Sequence, residues 1–141
     1  MSKTRWIFLI IVIGLAIAGF YGYSEYTRGH PDLSGAKADI AISAPNLLAE
    51  FAKDENLANK RFLNKVTSCR GAVKSIDKDQ TGSVSIALET GDLMANISCE
   101  LDPRHIGDAA KVRVADTITV TGICTGMLSD VVLVQCSFVK K

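Results

Sequence analysis

The chain has 141 residues, 16 basic and 15 acidic side chains, a net charge of +1 and four cysteines. That length fits one domain of ordinary size. The near balance of charge, with no run of one sign, argues against a surface built to neutralise nucleic-acid phosphates, which would show a basic excess.

Residues 6–23 carry no charge and are strongly apolar. A helix rises about 1.5 Å per residue, so this stretch nearly crosses a hydrocarbon core about 30 Å thick. Trp6 at one end and Tyr21 and Tyr23 at the other fall where amphipathic aromatics favour the headgroup level. Lys3 and Arg5 precede the stretch, whereas Glu25 and Arg28 beyond it nearly cancel. The positive-inside rule therefore predicts a single-pass anchor in the inner (cytoplasmic) membrane, N-terminus inside and the rest extracytoplasmic. Ala16-Ile17-Ala18 matches the small-x-small pattern of a signal-peptidase site, and cleavage there would release a soluble periplasmic form. The apolar run continues through Phe20 to Tyr23, which favours a retained anchor. The expected division is a cytoplasmic stub and transmembrane helix over 1–23, a linker over 24–42 and a folded domain over 43–141.

The linker is polar and holds Gly29, Pro31, Ser34, Gly35 and a solitary His30. Ser43-Ala44-Pro45 then offers a capping hydroxyl and a proline for a first helical turn. Leu47, Leu48, Phe51, Ala58 and Phe62 recur at helical spacing, which predicts one amphipathic helix over 45–61 covering a core.

Strand signals follow. Residues 65–76 are a β-branched run interrupted by Gly71, a position where a strongly bent strand favours a residue without a side chain. Residues 77–82 form a turn, and Val84, Ile86 and Leu88 alternate with Ser83, Ser85 and Ala87. Leu93, Ala95, Ile97, Cys99 and Leu101 share one face of the next strand, opposite Asn96, Ser98 and Glu100. Asp102-Pro103 opens a short helical pattern with Asp102 as its cap. A fourth strand over 116–124, a loop over 126–130 and a last strand over 131–139 complete the chain. Three strands, a short helix and two strands are the signature of an OB-fold, a five-stranded Greek-key barrel. The fold expected is thus mainly β with helices: an N-terminal transmembrane helix, then a five-stranded OB-fold barrel preceded by an amphipathic helix.

Several segments also resemble a known family. They are Phe62-Leu63-Asn64-Lys65-Val66, the strand with Gly71, Leu88-Glu89-Thr90-Gly91, Ile97-Ser98-Cys99, Thr121-Gly122-Ile123-Cys124-Thr125-Gly126, and Asp130-Val131-Val132-Leu133 before Cys136. The chain resembles the tRNA-anticodon-binding-like OB-fold family of bacterial membrane and lipoprotein-type proteins, over residues 43–139. Cys69 stands where that pattern has an aliphatic residue. The resemblance implies an OB domain and supplies no catalytic residues.

No constellation points to catalysis. The cysteines lie 30, 25 and 12 residues apart without a Cys-x-x-Cys, a poor zinc or redox signature. Cys136 is expected to share a face with Val132, Val134 and Phe138. In an OB topology strands three and five are neighbours, as are one and four, which makes Cys99–Cys136 and Cys69–Cys124 the preferred disulfides. The other connectivities, and four small buried hydrophobes, stay open. Asp77, Asp79 and Thr81-Gly82 resemble the front of a calcium loop, but the twelfth position is Leu88 rather than glutamate, so a hairpin turn is expected. Arg104 and His105, at the start of the short helix, are an anion-binding candidate beside the capping role of Asp102. OB barrels bind oligomers across strands two and three. Here that face presents Ser83, Ser85, Ala87, Asn96 and Ser98, with no aromatic platform for stacked bases. The expected function is a non-catalytic, membrane-anchored binding module without a cofactor. Its partners would be the bilayer and an envelope protein or glycan, with single-stranded nucleic acid as the alternative ligand.

Overall fold

The computed structural model describes residues 3–27 and 31–139, so His30 lies outside the described residues. The chain divides into two compact units, residues 1–31 and residues 32–141. Among the described residues the first holds a single helix, α1 (Lys3–Thr27). Within it, residues Lys3–Ser24 have a mean hydropathy of 2.2 and none of them is buried against protein. The helix is apolar all round, the pattern of a segment whose side chains meet hydrocarbon rather than a one-sided protein core.

The second unit is built from β1 (Ile40–Ser43), α2 (Ala44–Lys53), α3 (Glu55–Phe62), β2 (Val66–Lys78), β3 (Val84–Leu88) and β4 (Ile97–Leu101). It continues with a 3-10 helix (Pro103–Lys111), β5 (Thr117–Met127) and β6 (Val131–Phe138). The sheet runs β1-β2-β3-β4-β6-β5, and β5 pairs back onto β2. That last pairing closes β2, β3, β4, β6 and β5 into the five-stranded OB barrel expected from the strand order. β4 and β6 are parallel, and the other barrel ladders are antiparallel. β2 changes neighbour along its length. Its first half lies between β1 and β5, and its second half pairs with β3 after an irregularity between Val73 and Ser75. Closure leaves few free strand edges.

The interior is filled by Ile86, Leu88, Ile97, Val120, Val131 and Leu133, all with no exposed surface. Leu47, Phe51 and Phe62 come from the two helices, and the Phe51 and Phe62 rings lie 5.9 Å apart. Burying each such side chain stabilises the fold by about 1.5–3 kcal/mol.

Six local expectations are corrected. The helix expected over 45–61 is broken at Asp54, which adopts an extended backbone and accepts a hydrogen bond from the Leu57 amide at 3.1 Å. An aspartate that satisfies the free N–H groups of a new first turn starts a second helix instead of continuing the first. Ser43 precedes α2 but makes no capping bond with its side chain. The segment read as linker over 24–42 is partly structured. The helix α1 runs on to Thr27, Leu33 is buried, and β1 pairs in parallel with Thr67–Arg70 of β2. The strand expected from Leu93 begins at Ile97, because the Asp92 carboxylate accepts from the Met94 and Ala95 amides and turns the chain. Leu93 is consequently 92% exposed. The β5 strand extends to Met127, into the loop expected over 126–130. Finally, Gln135 has φ 54° and forms a bulge in β6, which places Cys136 inward with Val131 and Leu133 rather than with Val132, Val134 and Phe138.

Two glycines are explained by close approach. A Cβ on Gly71 would lie 2.9 Å from the Ala44 Cβ, so this glycine seats α2 against β2. A Cβ on Gly122 would lie 2.6 Å from the Cys136 sulfur.

Candidate binding faces and the cysteine core

The sheet surface of β3 and β4 brings most of its expected residues together. Ser85 stands opposite Glu100 and Ala87 opposite Ser98, all directed away from the core. Asn96 lies at the head of β4. Its amide donates to Asp130 at 2.9 Å, and its side-chain oxygen accepts from Lys74 at 2.9 Å. Ser83 belongs instead to the β2–β3 turn. There the Asp79 carboxylate accepts from the Thr81 amide and hydroxyl and from the Ser83 amide, at 2.7–3.0 Å. The Thr81 hydroxyl bond leads in holding the Asp79 carboxyl below its usual range. These bonds form the hairpin turn preferred over a calcium loop. Among the described residues, no group of three or more His, Cys, Asp or Glu is arranged to hold a metal ion.

Arg104 and His105 are engaged with carboxylates of the chain. Asp102, buried at 4% exposure, accepts from the Arg104 amide at 2.9 Å, from its Nε at 2.8 Å and from Nη2 at 2.6 Å. This forked pair, with Asp102 also acting as the cap, holds the Asp102 carboxyl below its usual range. His105 Nε2 lies 2.8 Å from Asp32 Oδ1, and Nδ1 lies 3.5 Å from Asp108. The Asp32 contact raises the His105 imidazole above its ordinary value. Asp32 is held well below the usual carboxylate range, first by the Ser34 amide and then by His105. The donors that an external anion would use are already met by carboxylates of the chain.

Beside this network lies a cleft of about 390 Å³. One wall is strand: Arg70 of β2, Thr117, Ile118 and Thr119 of β5, and Phe138 of β6. The other is the 3-10 helix and its exit, with His105, Asp108, Lys111 and Val112. Ile118, Val112 and Phe138 pack from outside against the core and form an apolar floor. Lys111 lies 3.4 Å from Asp108. Arg70 is exposed and has no ion pair among the described residues. Sequence reasoning missed this cleft. Its residues come from three strands and a helix that meet only when β5 closes onto β2. The one local signal was Arg70 as an outward cation in an otherwise uncharged strand start.

All four cysteines are free thiols and fully buried inside the barrel. The expected Cys99–Cys136 and Cys69–Cys124 disulfides are not formed. The ladders set Cys69 opposite Val120, both Cys99 and Cys124 opposite Leu133, and Cys136 opposite Leu101. A hydrogen bond with Cys136, together with burial, pushes the Cys99 thiol well above its usual value, and burial raises Cys69 and Cys124. Thiols so shifted carry almost no thiolate, the reactive form, near neutral pH.

The closed barrel with its helix between the third and fourth barrel strands defines an OB-fold domain. The chain belongs to the tRNA_anti-like family, whose model matches residues 1–138. Among solved structures it is similar to one from Klebsiella pneumoniae subsp. pneumoniae, provisionally described as a nucleic acid-binding lipoprotein. The likeness has a TM-score of 0.58 at 16% identity and covers 70% of this chain and 91% of that one. At that identity it speaks for the fold alone. No curated protein matches the sequence.

Proposed function

We propose that this protein is a membrane-anchored, non-catalytic OB-fold binding module of the bacterial cell envelope, with its barrel on the extracytoplasmic side. The observation that carries the reading is α1, whose Lys3–Ser24 segment is long and apolar enough to cross a bilayer and precedes a separate compact unit. Lys3 and Arg5 before the span support a cytoplasmic N-terminus. In this reading residues 1–23 are stub and span, and the barrel presents its faces to an envelope protein or glycan. Alkaline extraction of membranes, combined with a periplasm-dependent reporter fused after Lys141, tests it. The chain should stay in the membrane pellet and the reporter should be active. A shortened chain in the soluble fraction would replace the anchor with a cleaved signal.

A second reading, single-stranded nucleic-acid binding, is favoured by the family to which the chain belongs and by the description of the Klebsiella protein. Against it stand the near-neutral charge and the absence of aromatics on the expected β3–β4 face. Titration with oligonucleotides at low salt decides between the two. No binding there removes the nucleic-acid reading.

A further inference from the structure

We infer that the cleft between the 3-10 helix and the β2–β5–β6 wall is a binding site for a small monoanion with an apolar body, the anionic group held by Arg70. The charges of the cleft separate into two sets. Asp108 is met by both His105 and Lys111, and Asp32 is met by His105. Arg70 has no carboxylate partner among the described residues, so its guanidinium is open to an anion. A guanidinium presents a planar fork of donors that matches a carboxylate in two-point geometry. Thr119 stands opposite Arg70 in the β2–β5 ladder, and Ile118 and Phe138 offer an apolar floor. The volume of about 390 Å³ falls within the range of ordinary small-molecule sites. An apolar floor with a small number of placed polar groups is the composition such sites share. A single guanidinium beside an enclosed floor fits a small ligand rather than a phosphate backbone, which needs a track of cations.

This goes beyond the binding-module reading by adding a small-molecule site, and its test is independent of where the barrel resides. The probe is 2-naphthoate, titrated by calorimetry into the full chain in phosphatidylcholine nanodiscs, with empty discs subtracted. We expect saturable one-to-one binding. It should be about tenfold or more weaker in Arg70→Gln and for the neutral 2-naphthamide, and about threefold weaker in Lys111→Gln. Arg70 is exposed, so Arg70→Gln should keep the wild-type unfolding midpoint, which separates loss of binding from loss of fold. No saturable binding, equal binding of the amide, or unchanged binding by Arg70→Gln overturns the inference. Repeating the titration in discs containing phosphatidylglycerol separates the sources of the anion. Competition supports a lipid headgroup as the natural occupant, and unchanged affinity supports a soluble carboxylate.

Discussion

The β3–β4 surface and the cleft side of the barrel are built on the same closed sheet, yet they differ in how their polar groups are held. On β3–β4 the outward side chains, short except for Glu100, repeat with the strand, and the ladder itself satisfies the backbone beneath them. On the cleft side, Asp102–Arg104 and Asp32–His105 fix the 3-10 helix, and Arg70 is left with a free charge. A surface set by a ladder can lose a side chain without rearranging. A surface set by carboxylate pairs depends on each partner, because a buried group left unpaired costs the full desolvation of that group.

The largest expected effect erases the difference. Leu133 is fully buried and stands opposite both Cys99 and Cys124, so Leu133→Ala should destabilise the whole barrel by about 2–5 kcal/mol in urea unfolding. Amides of both surfaces should lose protection from hydrogen exchange together. Asp102→Ala comes next and should break the symmetry. It removes the cap of the 3-10 helix and the acceptor of Arg104, at a cost of about 1–3 kcal/mol. Chemical-shift changes should centre on Pro103–Lys111 and leave Ser85 and Ser98 in place. Equal changes on both surfaces would mean that the carboxylate pairs do not separate them.

Titration sharpens the contrast further. His105 is raised in the folded state, so its contribution is fully present below its unfolded value near 6.5 and is lost as pH rises through the folded value. Asp102 is lowered, so its contribution is present above the unfolded carboxylate value near 3.9 and is lost as pH falls through the folded one. Both are in place between roughly pH 4 and 6.5. An NMR titration of the His105 ring should therefore show a midpoint above 6.5 that falls in Asp32→Asn. An unmoved midpoint would mean that Asp32 does not hold the imidazole. The smallest effect belongs to the ladder side: Ser85→Ala and Ser98→Ala should each change stability by less than about 0.5 kcal/mol.

Much of the barrel was legible because its strands alternate with period two. Val84, Ile86 and Leu88 point inward as their spacing requires, and the strand–helix–strand order alone gave the OB topology. What failed to show depended on contacts between distant residues. The four-residue β1 has no pattern of its own and exists through parallel pairing with β2. The inward turn of Cys136 needs the bulge at Gln135, which alternation cannot express. Asp54 was a readable break, since aspartate three residues before an amide it can cap is a helix-start signal, but the apolar spacing on either side masked it. On the candidate β3–β4 face, alternation placed Ser85 and Ser98 outward and Asn96 at the head of β4. It did not bring Arg70, Lys111 and Phe138 together, because the cleft joins residues far apart in the chain.

The close approach at Gly122 has an evolutionary consequence. A methyl group on residue 122 would overlap the Cys136 sulfur, 2.6 Å away. Residue 122 is not free to gain a side chain while cysteine stands at 136. An alanine at 122 should appear among relatives only where residue 136 is smaller than cysteine and the Val134 carbonyl, 3.0 Å from that Cβ, has given way. The dependence runs one way across fourteen positions of the chain: residue 136 can shrink alone, and residue 122 can grow only after it.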